Sequence, residues 1–321
     1  MGALHIVEAG YVCPIIQKLN AVGVSTDKYI KANFLNKYRL SANTYIPVEL
    51  MYSLFETIEK SQGVQFLDFF RDTININDLS DNVQDIIRTP DLLHIVQTTC
   101  QFNHLIMSNE LMTLNIEGPI STLQLQVDNR PSLGRELAIK LSMLYTLDGI
   151  QVAAGNDWMP IEIHYQFKKP AIEDPFIDLG KNVNIKYNMP YSGFVFNTAD
   201  LTKFKVNRKQ ELEWNVNDTC LAGRIELLLN SIKTGQIPNI SYFSDVMNIS
   251  SRSLIRKLQA EGRSFASIIE TWRLKKAIIS IENQATSINE LAHELGYANH
   301  SNFIRAFKRW TGVSPMNYRE H

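Results

Sequence analysis

The sequence predicts an α+β chain in two parts. Residues 1–205 read as a mixed helix-and-sheet domain and residues 221–321 as an all-α domain of two helix-turn-helix units joined by a connecting helix, with 206–220 as the linker. Three observations lead to this division. The last hundred residues carry apolar positions three and four apart in short runs, that stretch repeats itself internally, and the middle of the chain alternates apolar and polar residues as strands do.

At 321 residues and 45% hydrophobic, the chain has material for two domains with cores of their own. No apolar run approaches the roughly 18 residues that span a bilayer, and MGALHIVEAG lacks the basic start and apolar core of a secretion signal. A cytoplasmic protein without membrane contact is expected. Cys13, Cys100 and Cys220 lie far apart and form no CxxC pair, so reduced thiols are expected and no metal site is assigned. From Leu221 onward there are 13 Lys+Arg against 8 Asp+Glu, while the first 220 residues hold 19 against 25. The positive charge is therefore gathered in the last third, a moderate excess that is compatible with binding a polyanion and that many ordinary surfaces also reach.

The second helix-turn-helix unit is read from its caps and turn. Ile288, Leu291, Ala292 and Leu295 share one helix face, and Ser287 with Glu290 forms a capping box ahead of them. Gly296 supplies a left-handed stop and Asn299 caps a second helix whose apolar face is Phe303, Ala306, Phe307 and Trp310. At about 100° per residue, Ser301, Arg305 and Lys308 point almost opposite Phe303, with Ile304 and Arg309 flanking them. That outward face is polar and basic, as a helix entering a DNA groove needs to be.

Shifted back by 49 residues, NHSNFIRAF falls on SSRSLIRKL: Leu254 matches Phe303, Ile255 matches Ile304, Arg256 matches Arg305 and Leu258 matches Phe307. In this earlier copy Ile240, Phe243 and Met247 form the first apolar face, and Asn248 stands where the later copy has Gly296, a position asparagine tolerates. Arg252 and Arg256 then point outward together. Between the copies, Phe265, Ile268, Ile269, Trp272 and Ile279 mark one face of a connecting helix beneath both units.

With these residues in place, SINELAHELGYANHSNFIRAFKRWTGVSPMNYR resembles the signature of the AraC/XylS family of bacterial transcription regulators, and ISSRSLIRKLQAEGRSFASIIETWRLKKA resembles the preceding half of that domain. The likeness covers about the last hundred residues and includes Arg273 and the Tyr318-Arg319 pair. Ser244 and Asn248 depart from the alanine and glycine often found in the first unit, which bears on how its turn packs. Position by position, the resemblance implies base contacts from Arg252, Ile255 and Arg256 in the first unit and from His300, Ser301, Ile304 and Arg305 in the second. His300 has the alternative of simply capping or packing at its helix start. Lys257, Lys308 and Arg309 are better placed for phosphates, which fix register without reading sequence.

In the first two hundred residues, Pro47 starts a helix in IPVELMYSLFETIEK and Thr89 with Pro90 another in TPDLLHIVQTT. LMTLNI, the turn EGP and TLQLQVD form a hairpin with Leu123, Leu125 and Val127 on one face; SLGRELAIKLSMLY is helical, and IEIHYQF and VNIKY are strands. The order is similar to the effector-binding domain, of arabinose-binding type, that accompanies a subset of the family. GxGxxG after a strand, GxxxxGK[ST], GxSxG and HExxH are absent, and His5, His94, His104 and His164 stand singly, so no enzyme and no cofactor are expected. A small-molecule effector pocket is the better reading of this domain, with Arg135 and His164 as candidates for an acidic ligand, although surface charge or a core hydrogen bond explains them equally.

The sequence thus points to a sequence-specific regulator of double-stranded promoter DNA under effector control. The resemblance implies activation, with RNA polymerase as a partner, and a homodimer is compatible with it. A ligand-independent regulator whose first domain only dimerises, and an enzyme targeted to DNA, are the alternatives.

Overall fold

The computed structural model describes residues 3–62, 74–87, 91–127, 132–169, 183–203, 220–233, 237–283 and 286–319. Most of the linker stretch 206–220 lies outside them, as do Thr89 and Pro90. The chain divides into two compact units. His5–Asn36 with Leu40–Asn215 form the N-terminal unit; Val216–His321 with Met1–Leu4 and Lys37–Arg39 form the C-terminal unit.

Among its described residues the N-terminal unit combines helices with two sheets. Strands β1 (Ile6–Glu8) and β2 (Tyr45–Pro47) pair antiparallel. The second sheet contains β3 (Glu110–Glu117), β4 (Ile120–Val127), β5 (Glu162–His164), β6 (Asn184–Lys186) and β7 (Ser192–Asn197), in the order β3-β4-β7-β5-β6. All its pairings are antiparallel except β5 with β6. The expected hairpin is β3–β4, and its alternation buries Leu123, Leu125 and Val127 on one face.

The helices of this unit are α1 (Cys13–Ala21), α2 (Asp27–Ala32), α3 (Val48–Gln62), α4 (Asp81–Ile87), α5 (Leu92–Ile106), α6 (Leu133–Ala154) and the short α7 (Asp200–Lys203). Asp91 caps α5, its carboxylate accepting from the His94 amide at 2.7 Å. Pro47 ends β2, and α3 begins one residue later. The central helix α6 runs nine residues past the expected Tyr145 because its apolar residues continue on every side; Leu137, Ile139, Leu141, Leu147 and Ile150 are all buried. It is long and apolar enough to cross a bilayer by length and composition, where the sequence reading expects no such span. Some 67% of its apolar window is buried inside the unit, the pattern of a core helix. It packs on α3 so closely that a Cβ on Gly134 would lie 2.0 Å from the Tyr52 carbonyl oxygen.

Among the described residues of this unit, two carboxylates are buried. Glu110 accepts hydrogen bonds from Asn103 Nδ2 at 3.2 Å and Ser142 Oγ at 2.9 Å. Glu8 accepts from Asn82 Nδ2 at 3.0 Å, Tyr45 Oη at 3.2 Å and Ser80 Oγ. Burial outweighs these bonds and pushes each carboxyl up to about 7. Between α4, α5 and α6 lies an apolar cavity of about 40 Å³, lined by Val83, Ile95, Ile106 and Ile150. The Tyr145 hydroxyl, from a residue on its wall, is buried without a hydrogen-bond partner.

The C-terminal unit is helical: α8 (Leu221–Ser231), α9 (Ile240–Val246), α10 (Ser251–Ala260), α11 (Phe265–Glu282), α12 (Ile288–Glu294), α13 (His300–Thr311) and α14 (Pro315–Arg319). The connecting helix α11 packs against α8 and α14. Ile268, Ile269 and Trp272 are buried as expected, but Ile279 is 58% exposed. Ala277 and Ile281 take the buried positions at that end, because the face covered by neighbouring helices shifts along α11 and leaves Ile279 outside.

Candidate nucleic-acid interface

Each helix-turn-helix unit is set by caps and one left-handed residue. In the first, the Asn239 side chain accepts from the Tyr242 amide at 3.0 Å to start α9, and Ser250 accepts from the Ser253 amide at 3.2 Å to start α10. Between them Asn248 has φ 50°, the left-handed role that Gly296 plays in the second unit; at the 49-residue shift it falls opposite Tyr297, so the left-handed residue sits one position nearer the N-cap in the first turn. Ser244, which replaces the smaller alanine, is buried; its hydroxyl donates to the Ile240 carbonyl at 2.9 Å and to Ser251 Oγ at 3.1 Å. The substitution thus ties the first helix to the start of the second.

In the second unit Ser287 and Glu290 make the reciprocal capping box, with amide-to-side-chain distances of 3.2 and 3.0 Å. Gly296 has φ 71°, the left-handed conformation that favours glycine; a Cβ there would lie 2.9 Å from Ile237 Cδ1, the movable end of a side chain, so the backbone conformation is what selects glycine. Asn299 accepts from the Asn302 amide at 3.0 Å to cap α13, and Gly312 at φ 82° ends it. The connecting helix fastens this turn. Arg273 Nε donates to the Leu295 carbonyl at 2.9 Å, and its guanidinium lies 4.5 Å from the Tyr297 ring centroid.

The anchoring and outward faces of α10 and α13 separate cleanly. Leu254, Leu258, Phe303 and Phe307 are each 0% exposed. Arg252, Ile255, Arg256 and Lys257 on α10, and His300, Ser301, Arg305, Lys308 and Arg309 on α13, are exposed, with Ile304 half-buried beside them. Two side chains of α13 have partners at hand: Arg305 donates to Asn302 Oδ1, and Arg309 pairs with Glu270 on α11. Sequence reading missed Glu270, since residues 39 positions apart give no periodic signal for an ion pair. Chemically, both faces offer guanidinium forks, which can donate two hydrogen bonds to guanine, beside an isoleucine that suits a thymine methyl.

The two candidates in the N-terminal unit are both buried and have different hydrogen-bond partners. Arg135, at the start of α6, is 6% exposed and donates to the Val127 carbonyl at 3.3 Å. His164 is 5% exposed, with ring nitrogens 3.1 Å from Tyr191 Oη and 2.7 Å from Glu162 Oε2. Both already serve hydrogen bonds of the fold.

A family model described as a helix-turn-helix domain matches residues 243–321. The HTH-type transcriptional regulator VqsM of Pseudomonas aeruginosa is 32% identical over 99 residues, covering 31% of this chain and 30% of that protein. The ornithine utilization regulator of the same organism is 32% identical over 100 residues, covering 31% and 29%. The aligned stretch is thus less than a third of these relatives' length. Among solved structures, the transcriptional regulator CdpR from Pseudomonas aeruginosa aligns over 97% of this chain and 98% of its own at 13% identity and TM-score 0.45. The repeated caps, left-handed turns and basic outward helices define a helix-turn-helix DNA-binding domain. Over these residues the domain is similar to those of AraC/XylS-family transcription regulators.

Proposed function

We propose that the chain is a sequence-specific transcription activator in which one molecule reads promoter DNA with two unlike helices. The observation that carries this is the repeat itself: α10 and α13 carry equivalent residues at matching positions, the exposed Ile255 and Arg256 against the half-buried Ile304 and exposed Arg305, and one connecting helix joins the two units. Arg252, Ile255 and Arg256, and His300, Ser301, Ile304 and Arg305, contact base edges; Lys257, Lys308 and Arg309 hold phosphates. For Arg309 this means leaving or sharing its ion pair with Glu270, a surface pair of little intrinsic strength.

Residues 1–205 form the regulatory domain in this reading, 206–220 the linker and 221–321 the reader. An effector in the first domain biases DNA affinity or RNA polymerase recruitment, in a cytoplasmic protein able to form homodimers, and no catalytic residue is assigned. The effector cavity in this reading is the apolar one walled by Tyr145, whose buried hydroxyl lacks a partner; at about 40 Å³ it has room for a few waters only, so an effector has to widen it on binding.

Arg256→Ala and Arg305→Ala should each cost about 1–3 kcal/mol of binding and relax base preference in different parts of the site. Lys308→Ala should weaken all sequences alike and reduce the salt dependence by roughly one counterion. A binding series on variant duplexes at several salt concentrations separates the two classes. If Arg305→Ala weakened every sequence equally while Lys308→Ala changed the preferred bases, the assigned orientation of α13 would be wrong.

A further inference from the structure

The C-terminal unit holds a cavity of about 240 Å³ on the side of α11 that faces α12 and the end of α8. Its floor is apolar, from Ile232, Trp272, Leu291 and Leu295; its other lining residues include Arg39, Lys233 and Lys276 against one carboxylate, Glu294. Three cations and one anion leave a net positive lining over an apolar base. Trp272 is fixed, its Nε1 donating to Asn230 Oδ1 at 2.8 Å, and the Lys276 ammonium lies 5.6 Å from its ring centroid. Lys276 makes no hydrogen bond or ion pair among the described residues. Burial, and then the neighbouring Arg39, hold its ammonium below the ordinary lysine range, with Glu294 opposing them. This is a cation partly stripped of water and set beside another of like sign, an arrangement that a bound anion relieves.

We propose that this cavity binds a small organic monocarboxylate, its head among Arg39, Lys233 and Lys276 and its short tail on the apolar floor. The volume is adequate, since a cavity of roughly 150 Å³ accommodates benzene. The location gives the ligand a route to the DNA-reading helices. Ile237 lines the cavity and is the side chain nearest Gly296, and Leu295, also on the wall, is held by Arg273 through its carbonyl. An occupant therefore packs against the turn of the second helix-turn-helix unit. The site is separate from the effector cavity proposed for the N-terminal unit and stands whether or not that cavity is used.

Calorimetric titration and thermal melting of the full-length chain test it, with acetate, hexanoate, octanoate and benzoate as probes and hexanol and inorganic phosphate as controls. Hexanoate or benzoate is expected to bind and to raise the melting temperature with concentration. Hexanol, lacking the charge, and phosphate, lacking the tail, should bind at least tenfold more weakly. Lys276→Met should weaken the carboxylate at least tenfold and Lys276→Arg should largely retain it; Lys233→Met, at an exposed position, gives a second loss should Lys276→Met fold poorly. The proposal is overturned if no carboxylate binds, if hexanol or phosphate matches hexanoate, or if well-folded Lys276→Met and Lys233→Met bind as the parent does.

Discussion

Phe303→Ala is expected to destabilise the C-terminal unit by about 3–5 kcal/mol, the usual cost of emptying a buried aromatic site. The ring is 0% exposed, with its centroid 5.7 Å from that of Tyr297 and 5.8 Å from that of Phe307. It joins the turn after α12 to the body of α13, so its loss should release both helices together. Ile304→Ala, one residue along on the half-buried edge, should cost less than about 1 kcal/mol, because less of its surface is removed from water. Amide exchange across residues 288–311 in the full-length chain measures both. Comparable protection in the two variants would show that the helix face has been assigned wrongly.

The other large effect lies in the N-terminal unit and depends on pH. Glu8 and Glu110 titrate near 7 in the fold against an ordinary 4.5, so between those values the folded chain holds more protons than the unfolded one. Stability should therefore fall as pH rises through that window and level off above it. At about 1.4 kcal/mol per pH unit, each group accounts for up to about 3 kcal/mol. Glu110→Gln keeps an oxygen to accept from Asn103 or Ser142 and removes the ionisable group, so it should be more stable than the parent at pH 8 and show a shallower decline from pH 5. Melting curves of the two proteins across this range provide the comparison. An unchanged slope, with Glu110→Gln no more stable at pH 8, would mean that burial of Glu110 is not what sets the dependence.

The helix-turn-helix units were legible because their determinants are local. A cap, a left-handed residue and apolar positions three and four apart all fall within one turn or two, and Asn248, Ser287, Gly296 and Asn299 occupy such positions in the structure. The β3–β4 hairpin was legible for the same reason, since its partners flank one tight turn. The parallel pairing of β5 with β6, and the insertion of β7 between β4 and β5, depend on segments distant in sequence and left no periodic mark. Strand β7, SGFVFN, is too short and too buried to alternate. Ile279 sits on the helical face expected to be buried, yet no neighbour covers it. The Arg39–Lys276 cavity and the burial of Glu8 and Glu110 are likewise products of long-range packing.

Whether one molecule reads two unlike boxes is tested most directly by selecting binding sites for the full-length chain from fully randomised duplexes. The expected product is a pair of different short boxes on one DNA face, spaced by about 10 base pairs or one helical turn, with Arg256→Ala blurring one box and Arg305→Ala the other. Recovery of a single box, or of two identical boxes both altered by Arg305→Ala alone, would contradict reading by both helices of one chain.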